Sequence, residues 1–195
     1  MHVDDLVVYL KLVYSRRFFD LYESQITSQI KLIRSGKGSG FDKKMWSEEA
    51  RQGLRYAFFL RYYASFESHL KIICDRFAKA ESLGSRLSDI EGGNFLQKVN
   101  KYLTRVVNCD ALDEHPLWAD VLTYSWIRNA IIHSDGRVRD GVNIPQHVER
   151  QMGRRATGLS LNSEGRIVLK RRFCYRSVTH MAQFLLDVYE RKQRL

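Results

Sequence analysis

The stretch LWADVLTYSWIRNAIIH, residues 117–133, decides the fold. At 100° per residue, apolar side chains cover almost the whole circumference of the helix that this stretch predicts. Such a helix belongs at the centre of a helical bundle, or against a second copy of the chain. Arg128, Asn129 and His133 lie inside its apolar arc, where a buried polar side chain is costly without a partner. The stretch therefore indicates both the fold class and the place of a functional site.

Helical periodicity continues on both sides of this stretch. Further helices are predicted over residues 5–34 (a break near Arg16–Arg17 is left open), 47–80, 95–107 and from about Tyr175 onwards. Apolar residues alternate in Leu159–Leu161 and Ile167–Leu169 around Asn162-Ser163-Glu164-Gly165, which is typical of a β-hairpin. We expect an all-α bundle of four to five helices with a small β-hairpin before the last helix.

One domain should span residues 1–195, because a chain of this length can bury a core of its own. We divide it into a first helix with a Gly/Ser loop (1–40), core helices (45–136), and a basic segment with the hairpin and the final helix (137–195). The Gly/Ser loop matches no Walker pattern and follows no strand, so we do not expect it to bind phosphate.

The chain is basic, with 32 Lys and Arg against 22 Asp and Glu and a formal net charge of +10. A balance of this kind is typical of proteins that bind a polyanion, most often nucleic acid. The alternative is that the charge only confers solubility. The residues expected to contact a nucleic-acid backbone are Arg150, Arg154, Arg155, Lys170, Arg171 and Arg172.

Cysteine, histidine and hydropathy patterns exclude several classes. Three cysteines without a CxxC pair argue against a disulfide framework and against a cysteine zinc site. The histidines show no HExxH spacing, so we expect no metal and no cofactor. No apolar run approaches the ~18 residues of a membrane span. The acidic start MHVDD does not fit a signal peptide, so we expect no membrane association and a cytoplasmic location.

The polar residues of the central stretch have a definite spacing. Arg128 and His133 are separated by about 140° around an ideal helix and by about 7.5 Å along it. Asn129 and His133 are an i,i+4 pair that can form a hydrogen bond. A long arginine side chain could converge with both on a small anion such as a phosphate. The alternative is structural: a histidine favoured at a helix C-terminus, and an arginine paired with Glu67.

Glu67 is the second unusual polar residue. It shares a helical row with Leu60, Ala64, Leu70 and Cys74 on the helix over 47–80. A carboxylate that faces a packed interior needs a cationic or hydrogen-bonding partner. The alternative is that Glu67 lies at the edge of the apolar stripe and reaches water.

These residues resemble the HEPN family. Arg128-Asn129-Ala130-Ile131-Ile132-His133 fits the family's R-x4-to-6-H motif, with a polar residue directly after the arginine. The segment YYASFE, residues 62–67, looks like the family's second helix with its aromatics and glutamate. The late hairpin and final helix are similar to those of the small prokaryotic, toxin-like branch. The resemblance covers residues 45–195.

The resemblance implies a metal-independent endoribonuclease that cuts RNA by 2′-OH attack and acts as a toxin or an antiviral defence effector. It implies a homodimer with the active site at the interface, and an antitoxin or regulatory protein as a further partner. His133 would be the general acid or base, Arg128 would stabilise the phosphorane, Asn129 would orient His133 or the phosphate, and Glu67 would orient Arg128. Two other classes stay open: an inert HEPN-like module that binds RNA or a nucleotide, and a dimerisation subunit of a larger complex.

Overall fold

The computed structural model of the chain describes residues 3–36, 48–138, 141 and 143–193. Six helices and one hairpin occur in these residues. Their order is α1 (Val3–Arg34), α2 (Glu48–Ala80), α3 (Phe95–Arg105), α4 (Trp118–Ser134), α5 (Gln146–Gly153), β1 (Leu159–Leu161), β2 (Ile167–Leu169) and α6 (Arg171–Gln193). The predicted all-α bundle with a hairpin before the last helix is therefore confirmed.

The core is aromatic where α2, α4 and α6 meet. The rings of Phe59, Tyr124 and Phe173, one from each of these helices, have centroids 5.8–6.2 Å apart. All three residues are fully buried. Aromatic pairs at this spacing add to the stabilisation from buried apolar area. The stretch that decides the fold thus contributes Tyr124 to the centre of the bundle, as its all-round hydrophobicity predicts.

Helix α1 is held to the bundle by apolar and ionic contacts. It is continuous through Arg16–Arg17, so the break left open by the sequence does not occur. Phe19 stacks on Phe58 of α2 with ring centroids 4.0 Å apart. Glu23 is buried and accepts two hydrogen bonds from the guanidinium of Arg55. A buried carboxylate is tolerated here because a bidentate arginine compensates its lost hydration.

The hairpin forms as the alternation predicts. β1 and β2 are antiparallel, with Leu159 opposite Leu169 and Leu161 opposite Ile167. Leu159, Ile167 and Leu169 are buried against the helices. The hydroxyl of Tyr56 on α2 donates a hydrogen bond to the backbone oxygen of Ile167, which ties the hairpin to the bundle.

Three local features differ from the sequence expectation or lie beyond it. Helix α5 is not predicted by the sequence, because Pro145 and the polar residues around it indicate a loop. Burial of Val148 stabilises this helix.

Helix α6 begins at Arg171, four residues before the predicted start. The backbone amide of Phe173 donates a hydrogen bond to the backbone oxygen of Lys170 there. The predicted Gly/Ser loop from residue 37 onwards, and the predicted helix start at Ser47, lie outside the described residues.

The three cysteines are free thiols. Burial raises the pKa of Cys74 and of Cys174 to about 12, so both stay protonated and unreactive at neutral pH. None of the helices in the described ranges combines the length and the apolar character that crossing a bilayer requires.

Candidate functional site

The C-terminal end of α4 is fixed by a tight contact with α2. Asp135 adopts a left-handed conformation directly after the helix, and the amide of Gly136 donates to the oxygen of Ala130. Gly136 has φ +74°, and a Cβ at this position would overlap the Tyr56 hydroxyl. Glycine is therefore required here both for backbone conformation and for space. Because α4 ends at this point, His133 lies in its last turn.

One face of α4 is buried, and the described residues cover the opposite face only in part. Val121, Thr123, Tyr124, Ile127 and Ile131 form the buried face. On the opposite face Trp118, Leu122 and Trp126 are half-buried, whereas Ala119, Asn129, Ile132 and His133 are exposed. Half of the Ile132 surface is accessible to solvent. We call the latter seven residues the open face of α4. Trp118, Leu122 and Trp126 pack partly against the core, so the described chain leaves a mixed apolar and polar surface partly exposed here.

Asn129 and His133 are therefore not buried, contrary to the expectation from the apolar arc, because they lie on the open face. Arg128 is half-buried at its edge. The Arg128 guanidinium donates from Nη1 to Oδ1 of Asn129 at 2.9 Å. This bond draws the guanidinium around the helix towards Asn129, which shares its side of the helix with His133. The guanidinium of Arg128 is therefore nearer to the His133 side of the helix than the separation of about 140° between the two positions on an ideal helix suggests.

The expected hydrogen bond between Asn129 and His133 is not formed in the described residues. Oδ1 of Asn129 accepts a hydrogen bond from Arg128 instead, and the His133 ring makes no hydrogen bond with any described residue. An exposed imidazole in the last helical turn is accessible to a ligand and can adjust to it. Arg128, Asn129 and His133 thus lie on one helix, with the His133 ring accessible to solvent.

Glu67 lies beside this group on α2. It is half-buried, and burial raises the pKa of its carboxyl, while the charges of Arg128 and Lys71 act in the opposite direction. Within the described residues no direct ion pair joins Glu67 to Arg128, whose guanidinium bonds to Asn129 instead. The interaction between Glu67 and Arg128 is therefore one of charge at a distance and not the contact that the sequence suggested.

Tyr63 completes the surroundings of Glu67 from beneath. Its ring is buried, and burial raises the pKa of its hydroxyl well above the usual range, while the neighbouring Ser125 hydroxyl and the charge of Arg128 lower it. The phenol is therefore neutral at any physiological pH. It adds no charge beside Glu67, and its raised pKa makes it a weaker proton donor than a free tyrosine.

The six basic residues predicted to contact nucleic acid are all exposed, but they do not form one group. Lys170 and Arg172 both pack against Gly158, and Arg172 donates to the backbone oxygen of Arg155. Arg171 points away from them and pairs with Asp20 of α1. Arg150 bonds to Gln146 within α5, and Arg154 follows at the end of that helix.

A second polar group, which the sequence analysis did not identify, lies between α4, α5 and α6. Nδ1 of His180 is 3.0 Å from Oδ2 of Asp120 and 3.2 Å from the Tyr124 hydroxyl. Gln151 donates to Oδ1 of Asp120, and its own amide oxygen accepts from Arg176. We call these five residues the Asp120–His180 cluster. The only sequence signal for it is a pair of i,i+4 spacings, Asp120 with Tyr124 on α4 and Arg176 with His180 on α6.

A cleft of about 480 Å³ opens between the first turn of α2 and the hairpin. Two of its cations are already paired, Arg55 with Glu23 and Arg166 with Asp135. None of the residues of the R-x4-H motif lines it. Across the described ranges, no three His, Cys, Asp or Glu side chains come close enough together to hold a metal ion.

Comparisons with protein-family models, with curated proteins and with solved structures found no match for this chain. The residues of α4 and their surroundings therefore carry the inference about its function.

Proposed function

We propose that this protein is a metal-independent endoribonuclease of the HEPN type that works as a homodimer. The observation that carries the proposal is the 2.9 Å hydrogen bond from Arg128 to Asn129, which turns the guanidinium towards the side of α4 that exposes His133. An arginine, an amide and an imidazole on one exposed helix end are suited to bind and cleave a phosphodiester.

The reaction proceeds by transfer of a phosphodiester within the RNA strand. A His133 imidazole removes the proton of a ribose 2′-OH, and the 2′-oxygen forms a bond to the adjacent phosphorus. The bond from phosphorus to the 5′-oxygen breaks, and an imidazolium gives this oxygen a proton. Arg128 neutralises the charge that develops on the phosphorane. The products are a 2′,3′-cyclic phosphate and a 5′-hydroxyl, and DNA is not cut because it lacks the nucleophile.

Dimerisation supplies the second imidazole. One proton is removed and another is donated at different oxygens, and a single exposed His133 is poorly placed to do both. The open face of α4 presents exposed Ile132 beside half-buried Trp and Leu side chains, and the described residues cover it only in part, so a second copy of the same face is a chemically matched cover for it. An isologous dimer through α4 would bring two copies of Arg128, Asn129 and His133 together.

The test is cleavage of single-stranded RNA with EDTA present. Arg128→Ala and His133→Ala should each abolish cleavage, and the products should carry 2′,3′-cyclic phosphate ends. His69→Ala is the matched control, since His69 is a histidine on α2 that bonds to the backbone of its own helix. Equal cleavage by wild type and His133→Ala, or cleavage only with added Mg²⁺, would remove His133 from the mechanism.

One observation favours a second candidate, a HEPN-like module that binds RNA or a nucleotide, or joins a larger complex, without cutting. No hydrogen bond within the described residues orients the His133 ring, and general bases are usually oriented by a second group. RNA binding without any cleavage by the dimer would establish this alternative.

The cellular role that we propose is that of a toxin or defence effector. Cleavage of cellular RNA would arrest growth, so the wild-type protein should be toxic on expression and His133→Ala should not. A protein that relieves this toxicity by binding the chain would be the expected antitoxin. Equal growth of cells expressing the two forms would refute the role.

A further inference from the structure

The Asp120–His180 cluster lies outside the R-x4-H site, and its geometry leaves specific groups unused. Asp120 is satisfied on both oxygens, by Gln151 on Oδ1 and by His180 on Oδ2. Its side chain is only 14% exposed, so it serves to orient its neighbours. Nδ1 of His180 is engaged by Asp120, and Nε2 has no partner among the described residues. His180 is 26% exposed, so a ligand can reach the ring.

Arg176 also has unused donors. Its guanidinium bonds to the neutral amide oxygen of Gln151, interacts with the Tyr124 hydroxyl, and is 4.0 Å from Oδ1 of Asp120. A guanidinium carries five N–H donors, and Nε of Arg176 is buried with no hydrogen-bond partner in the described chain. An unsatisfied donor on a cation is unfavourable in isolation and favourable where an anion binds.

The basic residues nearest to this cluster continue it along α6. Arg172, Arg176 and His180 follow one another at i,i+4 spacing, which places them on one side of the helix with about 6 Å between successive residues. Arg172 also contacts the backbone of Arg155 and packs on Gly158 beside Lys170. A line of cations at this spacing matches a chain of phosphates better than a single small anion.

The net charge of the surroundings agrees with this. Asp120 is the one acidic side chain of the cluster, and it is matched by Arg176. Tyr124 stays neutral, because burial and the charge of Asp120 raise the pKa of its hydroxyl well above the usual range. Arg172, Arg155 and Lys170 then leave an excess of positive charge at the end of the line.

We propose that Arg176 and His180, held in place by Asp120 and Gln151, bind a backbone phosphate of RNA, and that Arg172 binds the neighbouring phosphate. In the imidazolium form His180 donates from Nδ1 to Asp120 and from Nε2 to a phosphate oxygen. This subsite takes part in binding the strand and not in bond cleavage. The inference rests on the proposed function in one respect, that RNA is the ligand.

The binding experiment uses the full-length protein and a short 2′-O-methyl RNA, which cannot be cut because the nucleophile is blocked. Arg176→Gln and His180→Gln should each weaken binding about tenfold, and Arg176→Gln should lower the slope of log affinity against log salt by about 0.7. Arg105→Gln and His69→Gln are matched controls on other helices and should bind as wild type does. Wild-type affinity and salt slope in both cluster variants would overturn the inference.

A second measurement separates binding from a structural role of the cluster, since replacing a residue of the cluster also changes stability. In the wild-type protein, ring-nitrogen NMR signals of His180, assigned with His180→Gln, should shift on addition of the 2′-O-methyl RNA, and those of His69 should not. Unchanged His180 signals at saturating RNA would overturn the inference. Inorganic phosphate is the second arm: the same shift at a similar concentration of free phosphate would identify a small-anion site and overturn the assignment to a strand.

The two proposals fail separately. If the wild-type protein binds RNA through His180 but cuts none, the proposed function fails and this inference stands. If it cuts RNA and the cluster variants bind as wild type does, the inference fails and the proposed function stands.

Discussion

Asn129→Ala is the most informative single change, because it removes a positioning bond without removing a charge. The bond from Nη1 of Arg128 to Oδ1 of Asn129 fixes the guanidinium at the edge of the open face. An arginine side chain carries about 2 kcal/mol of rotamer entropy, and a hydrogen bond to a charged group contributes about 1.5–3 kcal/mol. Because Asn129 is exposed, we expect a loss of about 1–2 kcal/mol in transition-state stabilisation.

That loss corresponds to a kcat about 5- to 30-fold below wild type. The free energy of unfolding should change by less than about 0.5 kcal/mol, since the side chain is at the surface. The assay is single-turnover cleavage of end-labelled RNA with EDTA, and Asn143→Ala, which changes an exposed asparagine outside the helices, is the control. If Asn129→Ala cuts as fast as this control while Arg128→Ala is inactive, the bond plays no part in catalysis. If it is as inactive as His133→Ala, Asn129 acts on the reacting groups themselves.

Four further predictions concern stability and assembly. Burial raises the pKa of the Glu67 carboxyl, so ionisation of this group destabilises the fold as pH rises through that pKa. Glu67→Gln should therefore raise the urea midpoint of unfolding at pH 7 and leave it unchanged near pH 3. Equal midpoints for wild type and variant at pH 7 would contradict this. Ile132→Glu should convert a dimer into monomers by light scattering; a monomeric wild type would refute the interface. Phe173→Ala should lower the free energy of unfolding by about 3–5 kcal/mol, because the ring is fully buried. Gly136→Ala should cost about 1–2 kcal/mol by the same measurement, and wild-type stability would contradict the left-handed requirement at this position.

The sequence predicts the fold correctly where the local hydrophobic pattern of a segment matches the contacts that the segment makes in the folded chain. The strands Leu159–Leu161 and Ile167–Leu169 alternate over a turn rich in Asn and Gly, and the hairpin forms with those bounds. The stretch over residues 117–133 is apolar on all sides, and α4 indeed contributes to the core. α5 escaped prediction because its stability comes from Val148 packing into the bundle and not from its own composition.

The site on α4 is predictable from the sequence only in part, because side-chain contacts depend on packing as well as on spacing along the helix. Arg128, Asn129 and His133 share one helix, so their approximate placement follows from helical geometry. The hydrogen bond that turns Arg128 to Asn129 depends on rotamers, and the lack of an ion pair with Glu67 depends on how α2 sits beside α4. Spacing along the chain fixes neither.

The Asp120–His180 cluster was beyond the reach of sequence reasoning, because its members come from three helices. Asp120 and His180 are 60 positions apart in the chain, and Gln151 lies on a helix that was not predicted. The chain alone shows only an aspartate and a histidine on separate amphipathic helices, each of which is more often an exposed residue than part of a site. Only packing brings a carboxylate to one ring nitrogen of His180 and leaves the other without a partner among the described residues.

Helix α4 connects the two proposals, because it contributes to both sites from different sides. Asp120 and Tyr124 belong to its inner side near the N-terminal end, whereas Asn129 and His133 belong to its open face near the C-terminal end. A strand bound along α6 at His180 is therefore held by residues that α4 positions through Asp120, and α4 also carries the cleavage residues. Removing the subsite should weaken binding and leave the rate of the bound complex unchanged, and removing His133 should do the reverse. This pair of opposite effects is what two separate sites on the packed helices α4 and α6 require, and a single mixed site would not produce it.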